Sequence, residues 1–462
     1  MKRWLQYVKP YTLYFILGPI CMLVEVAGEV FMPMFLGQMI NAGVDGTLTV
    51  QKSILYMSLM ILTALLMMVG GVGGAYFGAK ASVNYSSDVR RDVYKKVQEF
   101  SFANIDKFST GSLVTRLTND ITQIQNFVNT LLRMCLRSPG ILIGALIMSI
   151  SLRPSLSVVF AVTIPLMLVT ILTIVKIGFP RFARMQTKVD KLNSTVQESV
   201  TNVRVVKSFV REDYETKKFE NANRDLKQTG ISAMKVMILT GPFMTLFMNI
   251  TTAAVVWIGA KLVMGGGANA MPPGDLSQFI SYVNQILMSL MMLTMMFMMS
   301  SRAIASAKRV AEVLDEKPDI NDASATQKEA TVKHGDIEFR HVTFRYYKNS
   351  EDSVLDDINL KIKAGSVVGI IGSTGCGKTS LVSLIPRLYD ADEGEVLVDG
   401  INVKDYGLHN LREGVGMVLQ KNILFSGTIE DNLRWGDQNA DMNEIEAAAK
   451  SAQADGFVKS FT

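Results

Sequence analysis

Residues 367–380 read VVGIIGSTGCGKTS. A short β-branched apolar run leads into Gly372, Ser373, Thr374, Gly375, Cys376, Gly377, Lys378, Thr379 and Ser380, and an apolar helical pattern follows over 381–389. The run fits G-x-x-x-x-G-K-[ST] in a strand–loop–helix setting. Glycines at these positions let the backbone curl until successive N–H groups converge on phosphate oxygens, and the start of the following helix adds partial positive charge. Lys378 is spaced to reach the β- and γ-phosphates of a nucleoside triphosphate, and the Thr379 hydroxyl to bind Mg²⁺. Cys376 occupies a variable position and reads as filler rather than as a redox sensor. With Cys21 and Cys135 it makes three cysteines in all, too few for a disulfide framework and not spaced as a zinc site.

Two further groups lie in apolar surroundings. Glu25 and Glu29 are four residues apart, so they share a helix face. Ionisable groups inside a long apolar run usually face a cavity or a partner. The pair is read as lining a substrate cavity, against a solvated position for Glu29 near an interface. Met288, Met292, Met295 and Met299 fall within roughly 60° of one another on a helical wheel. A flexible thioether face there could accept varied apolar substrates; ordinary lipid-facing or helix-packing surface is the simpler reading of the same stripe.

These residues need elements to position them. The chain has 462 residues, 48% of them hydrophobic and 19% charged, below the ~25% charged typical of soluble domains. Its mean hydropathy is +0.24. Disorder is excluded. The net charge of +5 is no nucleic-acid footprint, and no nucleic-acid partner is expected. Runs at 54–77, 156–175, 236–260 and 276–301 contain no Asp, Glu, Lys or Arg, and 11–36 is interrupted only by Glu25 and Glu29. Each matches the ~20 residues that cross a ~30 Å hydrocarbon core as a helix. A sixth run, 138–152, extends back through Arg137 and Arg133. Expected membrane helices are therefore 11–36, 54–77, 130–152, 156–175, 236–262 and 276–301. Lys and Arg concentrate at the N-terminus, in 80–126 and in 176–235, while 265–275 has none. By the positive-inside rule the N-terminus, both long loops and everything after residue 301 are cytoplasmic. Residues 1–18 lack a clean signal-peptide cleavage site. The two long loops read as helical continuations, with breaks near 106–112 and 208–214. Gly70, Gly74 and Gly78 suit close helix packing, and Gly241–Pro242 reads as a break with a kink in the fifth helix. Arg133 and Arg137 share a face toward the cytoplasmic end, where snorkelling or a structural ion pair is expected.

After residue 316 a polar linker, 317–335, precedes a soluble α/β unit from 336 onward, with strand-like segments at 337–344, 358–362, 367–371 and 395–398. Several stretches of that unit, together with the six helices, resemble an ABC exporter half-transporter: a six-helix membrane domain fused to a P-loop nucleotide-binding domain. They are Phe344-Arg345-Tyr346, Val354 to Ile358, GEVLVDG at 394–400, Leu411-Arg412, Val418-Leu419-Gln420, Leu424-Phe425 and Thr428-Ile429. The resemblance covers nearly the whole chain. It implies that Tyr346 stacks on adenine and that Gln420 contacts Mg²⁺ and the attacking water. It also implies that ATP is the cofactor, that a second half-transporter completes a homo- or heterodimer, and that amphipathic cargo (drug, lipid or peptide) is exported across the plasma membrane. The family's LSGGQ-like signature, Walker B aspartate, catalytic glutamate and switch histidine are not found up to Thr462. The chain is accordingly expected to be the front part of a longer protein and to hydrolyse no ATP alone. The rival reading is a non-transporting, nucleotide-sensing partner of a heterodimer.

Overall fold

The computed structural model describes residues 2–264, 271–346, 352–420 and 422–461; the side chains of Met295 and Met299 lie outside the described set. Among the described residues, six helices are long and apolar enough to cross a bilayer: Thr12–Val44, Val50–Gln98, Thr110–Leu152, Pro154–Thr201, Glu212–Met264 and Pro273–Asp315. We number them first to sixth. The second has 49 residues, which at 1.5 Å per residue is about 70 Å, more than twice the hydrocarbon thickness. The apolar part spans, and the charged remainder continues beyond it as helix.

Local sequence sets the breaks. Ser109, at φ 57°, accepts from the Ser112 N–H and starts the third helix. Between the fourth and fifth helices, the chain leaves the helical region at Asn202 and again at Val210, which sits at φ 51°. Gly241–Pro242 makes no break: Glu212–Met264 runs through it as one helix. Proline removes one intrahelical hydrogen bond, and spanning helices tolerate that when neighbours satisfy the freed carbonyl. Prolines 19, 33, 165 and 180 are likewise helix-internal.

The first two helices touch through glycine. A methyl group added at Gly70 would lie 2.7 Å from the Cys21 carbonyl and 3.0 Å from the Glu25 nitrogen, and one at Gly74 would strike the Met22 side chain. The bundle core gathers Val26, Val30, Ile141, Phe160, Phe279, Tyr282 and their neighbours. Tyr282 spends its hydroxyl on the Val30 carbonyl at 3.0 Å, fastening the sixth helix to the first. A π-turn at Arg116–Asp120 interrupts the third helix. There the buried Asp120 accepts from Ser306 Oγ at 2.9 Å and from Arg309 Nε at 2.8 Å of the sixth helix.

The chain forms two compact units, Met1–Glu99 with Phe108–Lys317, and Phe100–Lys107 with Pro318–Thr462. The second unit contains an antiparallel sheet in the order β2-β1-β3-β4, from β1 (Ile337–Phe344), β2 (Leu355–Ile362), β3 (Glu393–Val398) and β4 (Ile401–Asn402). Its core comprises Phe339, Val342, Phe344, Leu384, Val396, Val398, Tyr406 and Leu411 with others. Residues 367–371, read above as strand-like, form no strand, and Val367 and Ile371 are fully exposed. An apolar run of this kind is a strand of a sheet covered on both faces. Among the described residues, no strand lies beside it.

Candidate functional site

The loop after residue 371 is shaped by two left-handed glycines, Gly375 at φ +87° and Gly377 at φ +88°. A side chain at either is strained by that backbone. At Gly377 space also forbids it, because a methyl group would lie 2.9 Å from Leu355 and 3.0 Å from the Val354 carbonyl. The segment Val354 to Ile358 thus shapes the loop from outside. Gly372 leaves room for the Cys376 thiol, which lies 3.5 Å from Lys378 Nζ. The helix Lys378–Leu384 begins directly after Gly377. Lys378 folds back over the loop and donates to the carbonyls of Gly372 at 2.8 Å and Ser373 at 2.7 Å. Thr379 is exposed, whereas Ser380 is buried. The arrangement is a cradle of exposed backbone, from Gly372 to Cys376, with one ammonium at its rim. It can receive a polyanion, with a hydroxyl available for a cation. The donor set fits ATP with Mg²⁺.

Tyr346 meets this cradle from the side. Its hydroxyl is 2.8 Å from Ser380 Oγ, and its ring packs edge-on against Phe344 and Tyr389 at 4.9 and 5.2 Å. It remains partly exposed, leaving surface for a flat ligand. Tyr389 in turn donates to Asp106 Oδ2 at 2.9 Å. Burial, then the Asp106 bond, pushes the Tyr389 hydroxyl pKa well above the ordinary phenol range. Gln420 lies on an exposed segment; no contact joins it to the loop among those described. So the structure brings Tyr346, Gly372, Gly375, Gly377, Lys378 and Ser380 together.

In the membrane bundle, Glu25 and Glu29 both face Arg137 of the third helix, each 3.2 Å from its Nη2. Arg137 is therefore an ion-pair partner rather than a snorkelling side chain, and Glu29 is not simply solvated. The signal was present in the sequence as opposite charges in two apolar runs, but register between helices decides whether they meet. Arg137 Nη1 approaches Met292 Sδ at 4.0 Å. Met288 is half exposed. Arg133, one turn earlier, lies along Gly78 of the second helix together with Asn129. Tyr389, Asp106 and Gln285 were not singled out from sequence. Each acts through a neighbour distant in the chain.

Comparison with known proteins agrees with both halves. Residues 15–290 match the family model described as ABC transporter transmembrane region, and residues 355–461 match that described as ABC transporter. The chain is 33% identical over 458 residues to YfiB of Bacillus subtilis (strain 168), an uncharacterized ABC transporter ATP-binding protein, covering 98% of this chain and 78% of the relative. It is 31% identical to YknU of the same strain over 471 residues, 99% of this chain and 77% of that one. It is 30% identical over 464 residues to an ATP-dependent lipid A-core flippase of Syntrophus aciditrophicus (strain SB), covering 99% and 75%.

Proposed function

Because the chain belongs to the ABC transporter family, a multi-pass membrane half fused to an ATP-binding half, we propose that it is an exporter subunit that couples ATP binding and hydrolysis to the movement of amphipathic molecules out of the cell. The observation that carries this reading is the glycine-shaped loop with Lys378 at its rim, in the half that matches the ATP-binding family. Lys378 exchanges its two carbonyl partners for phosphate oxygens and orients them. Amides of the glycine loop hold the same oxygens, Thr379 takes Mg²⁺, and Tyr346 offers its ring to the base. When bound, Mg-ATP supplies the free energy that drives transport. Gln420 is assigned to the Mg²⁺ and water side of the site by its family motif.

The distribution of Lys and Arg supports an N-terminus and nucleotide-binding half on the cytoplasmic side of the plasma membrane. A second half-transporter completes the functional dimer. The flippase relative supports a lipid-like or otherwise amphipathic cargo.

Replacing Lys378 with Ala tests the assignment. Equilibrium titration with a fluorescent ATP analogue and Mg²⁺ should show affinity falling by about tenfold or more, the loss of at least 1.4 kcal/mol, with the fold retained by circular dichroism. Unchanged affinity in a folded variant would refute the assignment.

A further inference from the structure

The charge cluster between the first and third helices is not balanced by its own members. Glu25 and Glu29 share one guanidinium, and both reach the same nitrogen of Arg137. When both carboxyls are ionised, two carboxylates against one arginine leave a surplus of one negative charge in a membrane-spanning bundle, where an unmatched charge is costly. Arg133 is not an ion-pair partner of either carboxylate among the described contacts.

Unused hydrogen-bonding capacity lies on the same helices and on the sixth. Gln285 of the sixth helix donates its amide to the Glu29 backbone carbonyl at 2.8 Å, and its Oε1 is buried without a partner. Ser138 Oγ, next to Arg137 in sequence, is also buried and unpartnered, on a residue only 1% exposed. Arg137 Nε is an unpartnered donor. Glu25 Oε2 lies against Gly71, where a methyl group would sit 3.3 Å away. In the chain by itself the side chains of Glu25, Glu29 and Arg137 are 18%, 28% and 23% exposed. Met292 beside Arg137 adds a polarisable apolar surface.

We propose that this cluster recognises cargo carrying one cationic group, a protonated amine or another onium centre, on an apolar body. Glu25 and Glu29 supply the attraction, and Arg137 is a positioning residue that holds them together. A monocation brings the cluster to neutrality; an anion cannot. The inference rests on the exporter reading above and adds to it the charge of the cargo.

The test uses three probes of one shape: tetraphenylphosphonium, tetraphenylmethane and tetraphenylborate, which carry charges of +1, 0 and −1. Saturable binding to the full chain in zwitterionic-lipid nanodiscs is measured against empty nanodiscs. The cation should bind about tenfold or more tightly than the neutral probe, by attraction to a partly desolvated charge. The pair Glu25→Gln with Glu29→Gln should abolish that ratio, whereas Glu25→Asp should keep most of it. A purely structural ion cluster would shift the melting temperature of these variants without changing the cation-to-neutral ratio, and that result overturns the proposal. Equal binding of cation and neutral probe by the unaltered chain overturns it also, and needs no variant to fold. Mg-ATP analogue binding is read on the same samples. Its loss in the unaltered chain would count against the exporter reading, while its retention with no cation preference would count against the cargo charge alone.

Discussion

Asp399 shows how much a single carboxylate can organise. It sits in the left-handed region at φ 50°, where Asn and Asp are the tolerated side chains. Its two oxygens accept the backbone N–H groups of Lys333, His334, Gly335 and Asp336 at 2.6 to 3.0 Å. Burial favours the neutral acid, but those four donors outweigh it and hold the carboxyl at about 2. Because the folded value is below the ordinary ~3.9, the group stabilises the fold fully above about pH 4 and loses that contribution as pH falls toward 2. Asp399→Asn should lower stability at pH 7 by about 1–3 kcal/mol. It should also flatten the acid limb of a denaturation series between pH 5 and 2; an unchanged limb would count against the assignment. None of this was legible beforehand, since GEVLVDG gives a turn but not the partner of its aspartate. The glycine loop was the opposite case. Gly375 and Gly377 announce their conformation because each answers a local backbone demand, which needs no knowledge of the rest of the fold. Arg137 stood between the two: its charge was visible, its partners were not.

At the scale of elements, the six long helices could be read because a bilayer imposes length and composition on each one separately. The seam between the first two was legible as spacing, and its geometry now ranks the glycines. A methyl group at Gly70 meets backbone atoms of Cys21 and Glu25, which cannot move without moving the helix; at Gly74 it meets the flexible end of Met22. Gly70→Ala should therefore cost about 1–3 kcal/mol of overpacking and Gly74→Ala less, measured as thermal unfolding in detergent. The reverse order would show that the seam is looser than described. Two element readings failed for physical reasons. Proline inside a spanning helix does not break it, as Pro242 shows. An apolar run becomes a strand only when neighbours supply hydrogen bonds, and residues 367–371 have none among the described strands. The π-turn at Arg116–Asp120, with Asp120 fixed by Ser306 and Arg309, had no sequence signature.

For the whole molecule, the division into two units follows composition, apolar and helical before residue 317, mixed and α/β after it. The exception is Phe100–Lys107, which belongs to the second unit although its neighbours in sequence on both sides belong to the first. Its Asp106 takes the Tyr389 hydroxyl, and the Phe102 ring lies 6.0 Å from the Tyr389 ring. Local patterning could not reveal this, since a short helix of mixed polarity suits either unit. The arrangement has a bearing on how the protein can be taken apart. Excision at the polar linker would yield a fragment from Pro318 onward that has lost eight residues of its own unit. Tyr389, the ring that buttresses Tyr346, would face water with its hydroxyl released from Asp106. Such a fragment should melt below its counterpart that has residues 100–107 fused through a flexible tether, and adding those residues as a free peptide should recover part of the difference. Equal melting temperatures would show the segment to be a passenger. The polypeptide crosses between the units three times, at 99–100, 107–108 and 317–318, so neither half is a bead that a single cut sets free.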